Sequence, residues 1–152
     1  MAKRVVVEAT YPADADRLFR GALSFREMKD AMKGVATYNG LPDDEAEEGA
    51  TYRVRTKIWG WLDVGEHEMF VEEINFAKRF VQSRERNPAV RRWDHALTVA
   101  RGEDGAVWRD EIVIDAGWRT VGAAEFARRV YLSRHRRRKA MQIQSRIVEV
   151  VA

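Results

Sequence analysis

The sequence contains no cysteine, only three prolines and no long run of apolar residues. Without cysteine the chain can form neither disulfides nor thiolate metal sites, which suits a protein of the reducing cytoplasm. No stretch approaches the roughly 20 apolar residues that cross a bilayer. The three consecutive valines at residues 5–7 are also far too few for the apolar part of a signal peptide. We therefore expect a cytoplasmic protein that does not span a membrane.

Sequence signals for cofactors and metal ions are missing as well. No glycine-rich phosphate-binding loop follows a predicted strand. His67 and His135 lie on different predicted elements, without the spacing of metal ligands. We therefore expect neither a cofactor nor a metal site.

The length of 152 residues suits one domain. A chain of this size buries roughly 68–70% of its unfolded surface, so it can form a core without disulfides. No internal repeat, low-complexity tract or linker divides the sequence. We predict a single domain over residues 1–152.

The last part of the chain, residues 120–149, has the pattern of one long helix. Arg134 and Arg137 interrupt its apolar stripe. Either both side chains extend their guanidinium groups into water, or one enters a pocket and pairs with an anionic ligand or an acidic core residue. The predicted stripe consists of Ala123, Phe126, Ala127, Val130, Met141 and Val148.

Positive charge is concentrated in this helix, although the net charge of the chain is only +3. Residues 121–149 hold eight Lys/Arg against two Glu, and residues 134–139 form the run RHRRRK. Such a run is typical of a surface that binds nucleic acid or anionic membranes. However, six consecutive residues point all round a helix, and no aromatic residues lie between them for base stacking. We therefore favour a solvated helix face over a nucleic-acid site.

The chain before residue 120 consists mainly of predicted strands. Two short helices, which begin after Pro12 and at Ser24, follow the first strand. Short connections favour antiparallel pairing, so we predict an α+β domain. Its curved sheet of six or seven strands buries its inner face against the long helix. The predicted strands are residues 3–10, 35–38, 51–59, 64–74, 79–85, 92–100 and 107–115.

Three large apolar residues, Trp59, Trp61 and Leu62, cluster at the tip of one predicted hairpin. Such a tip usually packs under a neighbouring loop, but it can also line a pocket mouth or form a dimer contact. A homodimer through this tip or through the end of the long helix is therefore left open.

The last two predicted strands carry the only candidate acid/base pair. If residues 102–105 close a hairpin, His95 and Asp110 are direct or diagonal neighbours on its inner face. They either satisfy each other's hydrogen bonds and do nothing more, or Asp110 fixes the tautomer while His95 offers its free nitrogen to a ligand. Alternation places on this inner face Trp93, His95 and Leu97 from one strand and Trp108, Asp110 and Ile112 from the other.

Four short motifs occur in the same order as these elements. They are VEATYPA at residues 7–13, RRWDH at 91–95, DEIVI at 110–114 and RHRRR at 134–138. The order of elements and motifs resembles the START-like (SRPBCC) superfamily, with its helix-grip or birch-pollen-allergen-like fold. Among its members the chain looks like bacterial proteins labelled polyketide cyclase/dehydrase-like. The resemblance covers essentially the whole chain.

The resemblance implies a cavity between the sheet and the long helix. Members of the superfamily bind lipids, polyketides or other hydrophobic molecules there, and only some catalyse cyclisation or dehydration, so the fold alone does not identify an enzyme. Transferred to this chain, the cavity-facing positions are Trp93, His95, Asp110, Phe126, Val130 and Arg134.

Three functional hypotheses follow. The one that we favour is the binding of a hydrophobic small molecule, such as a lipid or polyketide, without obligatory catalysis. The second is a cyclase/dehydratase that uses His95 as general acid/base with Asp110. The third is an interaction or nucleic-acid-binding module that uses the basic run at residues 134–139.

Overall fold

The computed structural model describes residues 1–151, with the backbone alone described at residues 145–147 and 149. The helices are α1 (Ala15–Leu23), α2 (Phe25–Ala31) and α3 (Thr120–Val151), and a short 3-10 helix (Gly117–Arg119) precedes α3. The strands are β1 (Lys3–Tyr11), β2 (Ala36–Asn39), β3 (Thr51–Ile58), β4 (Leu62–Asn75), β5 (Phe80–Asn87), β6 (Val90–Gly102) and β7 (Gly105–Asp115).

All seven strands form one antiparallel sheet in the order β1-β7-β6-β5-β4-β3-β2. Helix α3 packs against β1, β7 and α2. The predicted α+β class, with two short helices after the first strand and a long closing helix, is therefore confirmed. Along residues 1–151, no helix combines the length and the apolar character that a membrane crossing requires.

Helices α1 and α2 are kept short by a shared capping residue. Ser24 ends α1, where its backbone N–H donates to the carbonyl of Gly21, and its hydroxyl accepts from the N–H of Glu27 at the start of α2. Because an N-cap residue has an extended backbone, the chain turns sharply between the two helices. The pair thus covers one end of the sheet.

The sheet is irregular in its central strands. The register shifts once between β3 and β4, once between β4 and β5 and once between β5 and β6. Such bulges bend a strand and increase its twist. They give the sheet the concave face on which a cavity can form.

The β6–β7 hairpin sets the position of the candidate acid/base pair. Gly105 has a φ of 147°, and a Cβ there would lie 2.1 Å from the carbonyl oxygen of Tyr11, so only glycine fits. The resulting register places His95 opposite Ile112 and Leu97 opposite Asp110. His95 and Asp110 are therefore diagonal neighbours, one of the two arrangements expected.

The buried face of α3 overlaps the predicted stripe only in part: Ala127 is fully buried as predicted, and Ala123 and Val130 are partly buried. Phe126, Met141 and Val148 are exposed to solvent by 40%, 37% and 65%. The favoured prediction placed the basic run in solvent. Instead, His135 is held inside by Tyr11 and Asp110 of the sheet, and Arg138 by hydrogen bonds to α1 and α2. The buried face consists of Thr120, Ala124, Ala127, Tyr131, His135 and Arg138.

The tip between β3 and β4 is also more exposed than expected. Trp59 and Trp61 stack on each other with ring centroids 6.5 Å apart and remain 60% and 74% exposed. Of the three alternatives for this tip, burial under a neighbouring loop is therefore the one that the exposure of the two tryptophans contradicts.

Candidate functional site

A cavity of about 390 Å³ lies between the concave sheet, the two short helices and α3. This volume falls within the range of small-molecule sites, roughly 300–1,000 Å³. Its walls are mainly apolar. Helix α2, the loop after β2 and strands β3 and β4 supply Phe25, Met28, Leu41, Ile58, Met69 and Val71.

Most of the residues expected at the cavity line it. The exception is Ile112. It is fully buried beneath α3, where it packs with Ala124 and Ala127. The predicted residues that line the cavity are Trp93, His95, Leu97, Trp108, Asp110, Phe126, Val130 and Arg134.

The carboxylate of Asp110 is the centre of a polar network at one end of the cavity. Its Oδ1 accepts hydrogen bonds from His95 Nε2 at 2.8 Å and Trp108 Nε1 at 3.1 Å, and its Oδ2 accepts from His135 Nε2 at 2.8 Å. Burial tends to raise the pKa of Asp110, but the hydrogen bonds from His135 and His95 outweigh it and hold the pKa well below its usual value. The group is therefore a carboxylate at neutral pH.

The network continues away from the cavity through His135 to Tyr11, whose hydroxyl lies 2.7 Å from His135 Nδ1. An ionised carboxylate can only accept, so both imidazoles carry a proton on Nε2. With the ring protonated on Nε2 alone, the Tyr11 hydroxyl donates to Nδ1 of His135, and burial raises the pKa of Tyr11, which keeps it protonated. His135 thus has both ring nitrogens satisfied.

His95 differs from His135 because only one of its two ring nitrogens forms a hydrogen bond. Its ring lies edge-on to Tyr131 at a centroid distance of 5.1 Å, and it lines the cavity. Within residues 1–151 its Nδ1 has no hydrogen-bond partner. With Nε2 protonated, Nδ1 is an acceptor that can receive a proton or a hydrogen bond from a ligand.

Two members of this network, Tyr11 and His135, were missed by sequence reasoning. Tyr11 continues the inward alternation of Val5 and Val7 along β1. His135 lies four residues after Tyr131 on α3, so helical periodicity could have found it. It was overlooked because it sits inside a run of arginines.

The basic run at residues 134–139 is largely folded into the molecule. Arg134 lines the cavity, and its Cζ lies 4.9 Å from the Tyr131 ring centroid. Arg137 donates to the backbone carbonyls of Ala31 and Lys33. The expected solvated face is therefore wrong for these two side chains.

Arg138 is the most buried arginine of the run. Its Cζ lies 4.7 Å from the Trp108 ring centroid, and its Nη1 donates to Glu27 Oε2 at 3.2 Å and to the carbonyl of Gly21 at 3.4 Å. Burial lowers its pKa. Arg138 therefore connects α3 to the end of α1 and to α2.

Among the residues that the structure describes, no cluster of three or more His, Asp or Glu side chains could hold a metal ion.

No protein-family model matches the sequence, and neither does any curated protein. Three solved structures have the same fold over nearly their whole length. Protein MLL2253 from Mesorhizobium loti has a TM-score of 0.71 at 15% identity, with 93% of this chain and 98% of that chain covered. Protein CV1439 from Chromobacterium violaceum has a TM-score of 0.68 at 16% identity, with 90% and 95% covered. Ara h 8.0201 has a TM-score of 0.71 at 7% identity, with 95% and 99% covered.

These similarities confirm the helix-grip fold that the motif order implied. At such low sequence identities they show only the fold. Membership of the polyketide cyclase/dehydrase-like group stays a prediction.

Proposed function

We propose that this helix-grip protein is a single domain, residues 1–152, that binds a hydrophobic small molecule between its sheet and α3. The observation that carries the proposal is the cavity of about 390 Å³ with its mainly apolar walls. Ligand sites have this character, with a few polar groups that orient the ligand. The START-like superfamily, which the chain resembles, binds hydrophobic molecules at this position. A cytoplasmic location remains part of the proposal.

The cavity can be blocked from α3. Val130 lines the cavity from the middle of the helix. Val130→Trp should lower the affinity for the fluorescent probe N-phenylnaphthylamine about tenfold or more, because the indole takes up the ligand's volume. Fluorescence titration measures the affinity, and thermal unfolding shows that the fold is retained.

The control is Val121→Trp, which places the same side chain on the exposed side of α3. This variant should bind the probe as the wild type does. Unchanged affinity in a folded Val130→Trp protein would contradict the cavity as the binding site.

The polar network favours a second candidate function, proton transfer to or from the bound molecule. His95 has a free Nδ1 at the cavity, and the Asp110 carboxylate fixes its tautomer and orientation. This is the arrangement that a cyclase or dehydratase with a general acid/base requires. The nucleic-acid alternative loses support, because Arg134, Arg137 and Arg138 make contacts inside the fold.

The second function is tested on the molecule that the protein itself retains. Native mass spectrometry of gently purified protein would reveal a bound molecule, and incubation would show whether its mass falls by one water. His95→Gln should abolish that change and leave binding intact, because Gln cannot transfer the proton at this position. A variant with full turnover would eliminate the role of His95.

A further inference from the structure

Buried polar atoms without a partner are concentrated at the cavity. In the described part of the chain, four buried side-chain atoms lack any hydrogen bond, namely Thr56 Oγ1, Trp93 Nε1, Arg134 Nε and Arg138 Nε. All four residues line the cavity. Buried donors in folded proteins are nearly always satisfied. Three of the four atoms are N–H donors, so a ligand that brings hydrogen-bond acceptors would satisfy most of them.

The positive charge that α3 brings to the cavity is also unbalanced. Arg134 forms no ion pair with residues 1–151, and its polar contact is the Tyr38 hydroxyl at 3.5 Å. Arg138 follows one helical turn later, and its ion pair is with Glu27, whose side chain is 55% exposed. Two guanidinium groups thus lie side by side on the buried half of α3, where a low dielectric strengthens their repulsion.

Among residues 1–151, two carboxylates line the cavity, and neither forms an ion pair with Arg134. Burial tends to lower the pKa of Arg134, but Tyr38, Tyr131 and the charge of Asp110 hold it above its usual value. Asp110 already accepts three hydrogen bonds, from His95, His135 and Trp108. Glu85 lies 4.0 Å from His67 and forms no ion pair with an arginine of the described chain. Since Arg134 Nε is buried without a hydrogen-bond partner and no carboxylate of the described residues contacts the guanidinium, the wall at Arg134 favours an anion from outside.

We propose that the ligand is a hydrophobic organic acid whose anionic group binds the guanidinium of Arg134 while its apolar body lies along the cavity walls. A guanidinium can donate two parallel hydrogen bonds to a carboxylate or sulfonate, which fixes the orientation of the ligand. Trp93 packs against the cluster that contains Tyr131, and its N–H, which interacts with the Tyr131 side chain without forming a well-aligned hydrogen bond, offers a second donor on this wall. This inference rests on the proposed function and specifies the chemical class of the ligand.

A pair of probes that differ by one acidic group tests the inference. Anilinonaphthalene sulfonate and N-phenylnaphthylamine share an aromatic body, but only the first is an anion. The wild-type protein should bind the anionic probe about tenfold more tightly than the neutral one, the range of one charge-assisted contact. Arg134→Met should remove this preference, so that the variant binds the two probes with similar affinity, and thermal unfolding shows that it is folded.

Two further variants test whether the preference depends on a positive charge at residue 134 or on the total charge of the helix. Arg136 is exposed on the same helix, so Arg136→Met removes an equal charge outside the cavity and should keep the preference. Arg134→Lys should keep part of it, because a lysine retains the charge without the planar fork. Val130→Trp should weaken both probes, which shows that each occupies the cavity.

The outcomes distinguish the inference from the proposed function. If the wild type binds both probes equally, or if Arg134→Met keeps the anion preference, the acidic ligand is refuted while hydrophobic binding stands. If neither probe binds the wild type, the cavity is not a site for hydrophobic molecules and both proposals fail. Binding of the neutral probe to Arg134→Met also demonstrates that the variant is folded.

Discussion

At the scale of the residue, Asp110 is the side chain on which the polar part of the core depends. It is 2% exposed, and burying a lone carboxylate costs several kcal/mol. Three N–H donors offset that cost, and two of them are imidazoles from different elements, β6 and α3. Asp110 therefore joins the sheet to the closing helix through hydrogen bonds.

The lowered pKa of Asp110 makes the stability of the fold dependent on pH. Because the folded state holds the proton more weakly than the unfolded chain, the ionised group contributes stability above the unfolded pKa of about 3.9. That contribution should be lost progressively as the pH falls from about 4 through the folded pKa. Urea unfolding at a series of pH values measures the decline.

Asp110→Asn should lower the free energy of unfolding at pH 7 by about 3 kcal/mol, because an amide cannot accept all three hydrogen bonds. Its acid decline should also be shallower than that of the wild type. Asp104→Asn, in the exposed β6–β7 turn, is the matched control and should follow the wild-type curve. Parallel declines in the wild type and Asp110→Asn would show that another group causes the acid sensitivity.

The pairing of His95 with Asp110 was predictable, whereas the part played by His135 was not predicted. Alternation along a strand gives both the face and the approximate register of a side chain. His135 agrees with helical periodicity because it follows Tyr131 by four residues, but its burial depends on a carboxylate 25 positions away in the sequence, which the basic run around it does not reveal. Partners that are distant in sequence decide which polar residues of a helix are buried.

At the scale of the element, α3 shows what an apolar pattern leaves undecided. Its presence and its start near residue 120 followed from the sequence. Its orientation about its own axis did not, because the helix has a weak apolar stripe and its inner face includes His135 and Arg138. A pattern built on apolar residues alone therefore selected a face that is rotated about the helix axis, by about one residue position, from the buried face.

Identical substitutions on opposite sides of α3 test this orientation. Ala127 is fully buried against β1 and β7, so Ala127→Leu should lower the free energy of unfolding by about 2 kcal/mol through overpacking. Ala140 is exposed, and Ala140→Leu should change it by less than about 0.5 kcal/mol. Chemical denaturation compares the two variants. Equal effects would mean that Ala127 does not face the sheet.

At the scale of the whole molecule, the packed core is divided into clusters around the cavity rather than gathered at one centre. One cluster joins α1 to β6 and β7, a second lies under α3, and two smaller ones lie near α2. The element order predicted the architecture, because few arrangements bury one concave sheet against one helix. The cavity volume could not be predicted, since it is the space left after every wall has packed.

The sheet order also determines when the molecule can fold. β1 pairs along its whole length with β7, from Lys3 opposite Ile114 to Tyr11 opposite Ala106. During synthesis the first strand therefore leaves the ribosome long before its partner strand β7 exists. Pairings so distant in the sequence slow folding, because a long loop must close before its contacts form. The valine-rich N-terminal strand thus stays open to chaperones or to mispairing until β7 has been made.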